Sequence, residues 1–302
     1  MKIALTTALP KEGFTRLAGH KMYVPYEEAE VLISTFDCRV SREIIETMPY
    51  LRLIANFGAG YNNIDLEACK ERGIRVTNTP QPVIEPTAEL AFALMIDVAR
   101  RVSEFDRRVR AGQATFGVMQ NLSHSLYGKT LGILGMGRIG QALARRAKAS
   151  GMTIIYYNRH QLPDEIEQKY EATYVDFQTL LQDSDFLSLN LPYTPEVHHI
   201  IGKPELGMMK RSAFLINTAR GAHVHEEALV EALKSGIIAG AALDVYEYEP
   251  AVSTELLTLP NVVLSPHTGT GTWEGRIAMC ENVTDNILAF ANNDFLHMNI
   301  VV

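Results

Sequence analysis

Residues 130–151 read TLGILGMGRIGQALARRAKASG: an apolar run, a turn carrying Gly135, Gly137 and Gly140, and an amphipathic stretch closed by Gly151. A G-x-G-x-x-G turn between a strand and a helix leaves few folds open. Gly135 permits the tight turn, Gly137 lets the backbone approach a pyrophosphate, and Gly140 lets helix and strand pack closely. The helix N-terminus then offers unpaired N–H groups and a partial positive charge to phosphates. Glycines needed only for turning would explain the motif alone. A second apolar run, TIIYYN, at the distance of the next strand strengthens the dinucleotide reading.

The same rhythm runs through most of the chain. KIALTTA, EVLISTF, LRLIANFG and IRVTNT read as strands in the first part, with helix-like SREIIETMP and NIDLEACKERG between them. After residue 128, TLGILGMG, TIIYYN, DFLSLNLP, SAFLINTA, IAGAALDVY and NVVLSPH are strand candidates separated by helical patterns. Such alternation argues for α/β architecture with parallel sheets. Residues 86–112, PTAELAFALMIDVARRVSEFDRRVRAG, predict one long helix with Pro86 in its first turn, Gly112 at its end, and Leu90, Ala91, Leu94, Val98, Val102 and Phe105 on its apolar face. The chain turns helical again from Trp273, and the tail HMNIVV is too short to fold alone. The expected organisation is two Rossmann-like, doubly wound parallel-sheet domains. A dinucleotide domain at 96–283 is inserted into a discontinuous substrate domain formed by 1–95 and 284–302.

Composition sets limits. At 302 residues the chain can build two cores, and 47% hydrophobic with 21% charged residues is ordinary for a globular protein. A net charge of -7 argues against a general nucleic-acid or anionic-membrane binder. Three scattered cysteines, Cys38, Cys69 and Cys280, indicate neither a disulfide framework nor a thiolate metal site. No apolar span reaches membrane length, and Pro10 and Lys11 interrupt the start before a signal-peptide core is complete, so the expected compartment is the cytoplasm.

In dinucleotide folds an acid usually follows the first glycine by about twenty residues and holds the adenosine ribose. Here that place, at the end of IIYYNRH, holds Asn158, followed by Arg159 and His160. A carboxylate accepts the free 2′-OH of NAD and repels the 2′-phosphate of NADP. Asn158 removes the repulsion, Arg159 brings a phosphate-matching cation, and His160 can add a donor. The alternative is an Asn158 that hydrogen-bonds an unmodified ribose while Arg159 faces solvent. The reading favours NADP(H) and leaves NAD(H) open.

Three further stretches, LINTARGAHV, LDVYEYEP and LSPHTGTG, each close a strand candidate and carry Arg220, Glu249 and His267. Ligands of open α/β sheets bind outside the carboxyl ends of the strands, so these side chains can converge there. Singly, each could be a carbonyl cap, a solvated turn residue or a loop histidine. With NFGAGYNNID (56–65), VTNTPQPVIEPTAELAFALM (76–95), GKTLGILGMGRIG (128–140), NTARG (217–221), ALDVYEYEP (242–250) and SPHTGTGTWEGR (265–276), the sequence resembles the D-isomer-specific 2-hydroxyacid dehydrogenase family over essentially its whole length.

The resemblance implies roles. Arg220 would hold the substrate carboxylate and keto oxygen, His267 would be the acid in reduction and base in oxidation, and Glu249 would orient the imidazole and favour its protonated form. Backbone N–H groups near Ala59 and Gly60 would hold the carboxylate, and Phe36 would face the substrate side chain. It would favour a small 2-oxoacid such as glyoxylate or hydroxypyruvate, or else pack against a branched aliphatic chain. The cofactor contacts implied are Thr87, Gly135, Gly137, Arg138, Ile139, Gly140, Asn158, Arg159, His160, Leu191, Pro192, Thr218, Ala219, Asp244 and Gly269. Asp244 matches the acid that meets the nicotinamide carboxamide, or is an ordinary strand-end turn residue. The segment GQATFGVMQNLSHSLYGK lacks the tryptophan-rich insertion of many glyoxylate-reducing relatives.

The resemblance also implies a homodimer and a cleft that closes on substrate. The pairs His198–His199 and His223–His225 suggest no metal, because adjacent side chains on an element point different ways and hydride transfer needs none. His225 fits instead the start of the helix EEALVEALKSG. The favoured function is reduction of a small 2-oxoacid to its D-2-hydroxyacid. A D-lactate or D-2-hydroxyisocaproate type NAD-dependent dehydrogenase is the alternative, and a dinucleotide-sensing corepressor-like binding protein a further one. A formate dehydrogenase would be expected to carry Gln in place of Glu249.

Overall fold

In the computed structural model, which describes residues 1–302, the apolar runs form two separate parallel sheets. The first contains Lys2–Leu5 (β1), Lys21–Met22 (β2), Val31–Thr35 (β3), Leu53–Phe57 (β4) and Arg75–Thr77 (β5) in the order β2-β1-β3-β4-β5. The second contains Thr130–Leu134 (β6), Thr153–Tyr157 (β7), Ala172–Tyr174 (β8), Phe186–Leu189 (β9), Phe214–Asn217 (β10), Gly240–Leu243 (β11) and Val262–Leu264 (β12) in the order β12-β11-β10-β9-β6-β7-β8. β3, β4, β9, β10 and β11 are buried along their whole length, as strands covered by helices on both faces must be. Each sheet is doubly wound, with the strand order reversing between β1 and β3 in the first and between β6 and β9 in the second.

Ten strands lie where the sequence places them. The two others, β2 and β8, are edge strands of two and three residues, too short to show any alternation. The chain divides into two compact units, Met1–Pro86 with Thr270–Val302, and Thr87–Gly269. These divisions fall earlier than the expected boundaries at 95/96 and 283/284. The second differs because the helix Trp273–Ala291 packs as a whole on Lys11–Leu17 and β4 of the first unit. The tail also belongs there: Val76 and the last two residues exchange backbone hydrogen bonds beside β5.

The long helix expected over 86–112 is two helices, Ile84–Arg100 and Val102–Arg110. Arg101 between them adopts a left-handed conformation at φ 56°. Asp97 Oδ1 accepts the Ser103 N–H at 2.8 Å, so a side chain replaces the carbonyl that would have continued the helix. The apolar stripe is therefore buried through Leu94 and Val98, whereas Val102 is exposed.

The core of the second unit gathers Leu134, Leu187, Leu189, Leu215, Leu243 and their neighbours, and that of the first gathers Leu32, Ile45, Met48, Ile54 and Val76. No helix is long and apolar enough to cross a membrane.

Candidate active site

Strand register brings the site segments of the second unit to one edge. Tyr157, Leu134, Leu189, Asn217, Leu243 and Leu264 form a continuous row of paired positions across β7, β6, β9, β10, β11 and β12. Immediately beyond this row, at the carboxyl ends, come Asn158, Gly135, Asn190–Pro192, Thr218–Arg220, Asp244–Glu249 and Ser265–Gly269. The sheet alone thus aligns segments that are far apart in sequence.

At the point where strand order reverses, Gly135 has φ 95°, and a Cβ there would lie 2.7 Å from Leu191 N. The turn is glycine because the β9 loop leaves no room. A Cβ on Gly140 would meet Gly135 O at 2.6 Å, which explains the close packing of helix on strand. Gly137 differs, since a Cβ there would meet nothing within 4 Å. The space it faces is open. It adjoins the start of the Arg138–Ala149 helix, which has no side-chain cap and no acid in its first turn. The N–H groups of Arg138, Ile139 and Gly140 therefore start the helix unopposed by carboxylate. The buried Thr218 Oγ1 and Asn190 Oδ1 on the neighbouring strand ends have no partner within the chain. An open glycine cradle, an uncapped helix start and orphaned polar atoms on the same edge fit a bound dinucleotide.

Asn158 has a structural task that its sequence position does not reveal. Its Oδ1 accepts the Met136 N–H at 2.7 Å, pinning the glycine turn to the end of β7. Arg159 and His160 are exposed.

Glu249 and His267 meet. Glu249 Oε2 lies 2.8 Å from His267 Nδ1, and its Oε1 accepts the Tyr246 N–H at 2.9 Å. Burial works against the charged form of Glu249. The bonds from His267 and Tyr246 and the charges of His267 and Arg220 outweigh it, holding the carboxyl below the ordinary glutamate range. An ionised carboxylate at Nδ1 favours the ring tautomer that carries its hydrogen on that nitrogen. His267 itself sits at φ 52°, with its N–H donated to Asp244 O at 2.8 Å.

The Arg220 guanidinium donates to Ala219 O at 2.6 Å. Burial depresses its pKa, and the Glu249 carboxylate opposes that shift. Asn217 braces this turn from both sides, donating to Arg220 O at 2.9 Å and accepting the Ala219 N–H at 3.0 Å.

Asp244 is buried and fully engaged: its two carboxylate oxygens accept the N–H groups of Thr268 and Gly269, each at 2.8 Å. It fixes the loop that carries His267. A Cβ on Gly269 would lie 3.5 Å from Thr87 Oγ1, so Thr87 adjoins the same loop.

Sequence reasoning missed Tyr246. Its N–H holds Glu249, its hydroxyl donates to Ser265 O at 2.9 Å, and a Cβ on Gly221 would collide with its backbone at 1.9 Å. It joins the segments of all three charged residues, and burial pushes its phenol up to about 12. A tyrosine inside an apolar strand end gave no signal of this.

In the first unit, Phe36 follows β3 and is 40% exposed, while Ala59 and Gly60 follow β4. The carbonyls of Gly58 and Gly60 accept from Asn56 Nδ2 at 3.1 and 2.8 Å, and that of Ala59 accepts from Asn78 Nδ2 at 2.9 Å. Neither the Ala59 nor the Gly60 N–H donates to a protein acceptor. With the carbonyls engaged, these two N–H groups are the turn's unused donors and its candidates for holding an anion. Asn56 and Asn78 also escaped the sequence reading.

The histidine pairs behave unexpectedly. His198 and His199 do not diverge; their rings stack with centroids 3.8 Å apart, because His199 adopts φ 52° and breaks the alternation. His225 is the N-cap of the helix Glu226–Ser235, accepting the Ala228 N–H at 3.3 Å. His223 is fully buried with neither ring nitrogen partnered.

Comparisons with known proteins accord with this geometry. Residues 92–269 match the family model described as D-isomer specific 2-hydroxyacid dehydrogenase, NAD binding domain. A glyoxylate reductase of Thermococcus litoralis is 50% identical over 272 residues, covering 88% of this chain and 82% of that protein. The crystal structure of a glyoxylate reductase from Paecilomyes thermophila superposes with a TM-score of 0.88 at 36% identity, covering 100% of this chain and 98% of that one. An NADPH-dependent glyoxylate/hydroxypyruvate reductase from Sinorhizobium meliloti, solved with NADP and malonate, gives 0.86 at 31% identity, covering 96% and 93%.

Proposed function

This chain belongs to the D-isomer specific 2-hydroxyacid dehydrogenase family and is an NAD(P)-dependent oxidoreductase, and from that premise we propose that it reduces glyoxylate or hydroxypyruvate with NADPH. The observation that carries the reading is the Glu249–His267 pair at the edge that also holds Arg220 and the glycine cradle.

When bound, the reduced nicotinamide supplies the hydride. The rest falls to the chain's own groups. Arg220 offers a planar fork for the carboxylate and keto oxygen of a 2-oxoacid. His267 Nε2 gives its proton to the C2 oxygen as that oxygen gains charge, and Glu249 stabilises the imidazolium before transfer. Asp244 and Tyr246 keep the imidazole and carboxylate in register. The N–H groups of Ala59 and Gly60 bind the substrate carboxylate, and Phe36 limits the substrate side chain to a small group. Thr87, Leu191, Pro192, Thr218, Ala219 and Gly269 line the dinucleotide site with the glycine turn and the helix start at Arg138 and Ile139.

NADPH is favoured over NADH because Asn158 puts no negative charge where the ribose is held, while Arg159 and His160 stand exposed beside it. The relative from Sinorhizobium meliloti, NADPH-dependent and solved with NADP, supports this choice. A homodimer is part of the reading. Residues 113–127 carry Phe116, Val118, Met119, Leu122 and Tyr127 at 90%, 95%, 77%, 61% and 78% exposure, an apolar strip suited to cover by a second copy. Three unpaired cysteines suit a reducing compartment such as the cytoplasm.

The test is oxidation of NADPH and NADH side by side against glyoxylate, hydroxypyruvate, pyruvate and 2-oxoisocaproate. Turnover of the first two acids with NADPH is expected. Turnover with NADH alone would retire the 2′-phosphate reading, and tight dinucleotide binding without any turnover would favour a sensor.

A further inference from the structure

Away from the Glu249–His267 pair, one ring nitrogen of His198, one of His199 and a carboxylate oxygen of Glu247 lie within 4.8 Å of one another. We propose that these three side chains form a site for a divalent transition-metal ion of the zinc class, separate from the reductase chemistry.

The donor set is the first reason. Two imidazoles and one carboxylate suit zinc, cobalt or nickel, whereas calcium and magnesium require more oxygen ligands. With three protein ligands the fourth position stays open, and His198 is exposed, so an ion has a path from solvent.

Preorganisation is the second. His199 Nε2 and Glu247 Oε1 already face each other at 2.6 Å, and the His198 ring lies beside His199 with centroids 3.8 Å apart, so a turn of the exposed His198 side chain out of the stack brings its nitrogen to the same ion. An ion between these groups needs ligand atoms only slightly farther apart than this, on the order of 3 Å for bonds near 2 Å.

The outer partners are the third. Glu247 has one oxygen committed to the Glu226 N–H at 2.9 Å, which leaves Oε1 directed at His199. Tyr193 Oη lies 3.3 Å from His198 Nδ1. Outer hydrogen bonds of this kind fix a ligating ring or carboxylate in one orientation. The His225 ring stands 4.6 Å from His199 but is committed as a helix cap, so it serves as a neighbour and not as a ligand.

Occupancy has a mechanical consequence. Glu247 lies two residues before Glu249, and His199 donates its N–H to Ala222 O at 2.8 Å, two residues after Arg220. An ion here ties together the loops that follow β9, β10 and β11, and thereby stiffens the turns that carry Arg220 and Glu249.

The experiment is titration of the chelator-treated full-length protein with Co²⁺, followed by displacement with Zn²⁺. Wild type should take up one equivalent, with visible d–d bands of a nitrogen–oxygen site and no thiolate charge-transfer band. His198→Ala, at an exposed position, should keep the metal-free melting temperature and weaken Co²⁺ at least about ten-fold. Zn²⁺ should raise the melting temperature of wild type and leave that of His198→Ala unchanged. His199→Ala provides a second test of binding. Absence of saturable uptake, equal affinity in wild type and His198→Ala, or a cysteine-type spectrum would overturn the proposal.

Discussion

Glu249 divides its carboxylate between two partners: Oε2 faces His267 Nδ1 at 2.8 Å, and Oε1 accepts the Tyr246 N–H at 2.9 Å. The backbone bond fixes where the carboxylate points, and the carboxylate favours the ring tautomer with its hydrogen on Nδ1. Glu249→Gln keeps the shape and removes the charge that faces Nδ1. Turnover with glyoxylate should fall about ten- to a hundred-fold while dinucleotide affinity stays nearly unchanged. Undiminished turnover would remove Glu249 from the proton-transfer machinery. In wild type the carboxyl titrates below the ordinary range, so its contribution to folding is complete above that range and is lost only as pH falls through the depressed value.

Arg220→Lys retains the charge and loses the fork. We expect kcat/KM for glyoxylate to fall about a hundred-fold or more, with dinucleotide affinity by fluorescence nearly unchanged. A loss confined to dinucleotide binding would move Arg220 from the substrate to the cofactor.

Asn158→Asp tests cofactor choice without breaking the turn, because a carboxylate can still accept the Met136 N–H. The ratio of kcat/KM for NADPH to that for NADH should fall as repulsion of the 2′-phosphate returns. Asn158→Ala should leave Met136 unpaired and cost about 1 kcal/mol in denaturant unfolding. An unaltered ratio in Asn158→Asp would place the choice of cofactor elsewhere.

His223 carries a stability prediction. Burial pushes its pKa down to about 4 from an ordinary 6.5, so below pH 6.5 the unfolded chain binds a proton that the folded one refuses. Stability is therefore intact above 6.5 and falls as pH drops toward 4, by up to about 3 kcal/mol. His223→Leu, which removes the group that titrates, should flatten that loss and raise the melting temperature at pH 5. A variant with unchanged acid sensitivity would show that other groups govern it.

Much of the site was legible because the fold puts it at strand ends. Gly135, Arg220, Glu249 and His267 each follow an apolar run, and the row from Tyr157 to Leu264 turns that sequence regularity into a single edge. What escaped was set by side-chain to backbone bonds, some within a turn and some between distant segments. Tyr246 reads as a core residue, and Asn56 and Asn78 read as strand-end polars, yet they hold the turns that carry Glu249 and Gly60. The break at Arg101 escaped for the same reason, since Asp97 competes for a helical N–H while the apolar spacing runs on. At His198–His199 the rule of alternating side chains failed because one residue took a left-handed conformation, which periodicity does not encode.

The most direct test of the central claim is glyoxylate-dependent NADPH oxidation by wild type and His267→Ala, with dinucleotide binding measured on both. The account predicts robust turnover in wild type, a loss of about 10²- to 10⁴-fold in the variant, and similar dinucleotide affinity in the two. Undiminished turnover in His267→Ala, or none in wild type with any of the four 2-oxoacids, would contradict it.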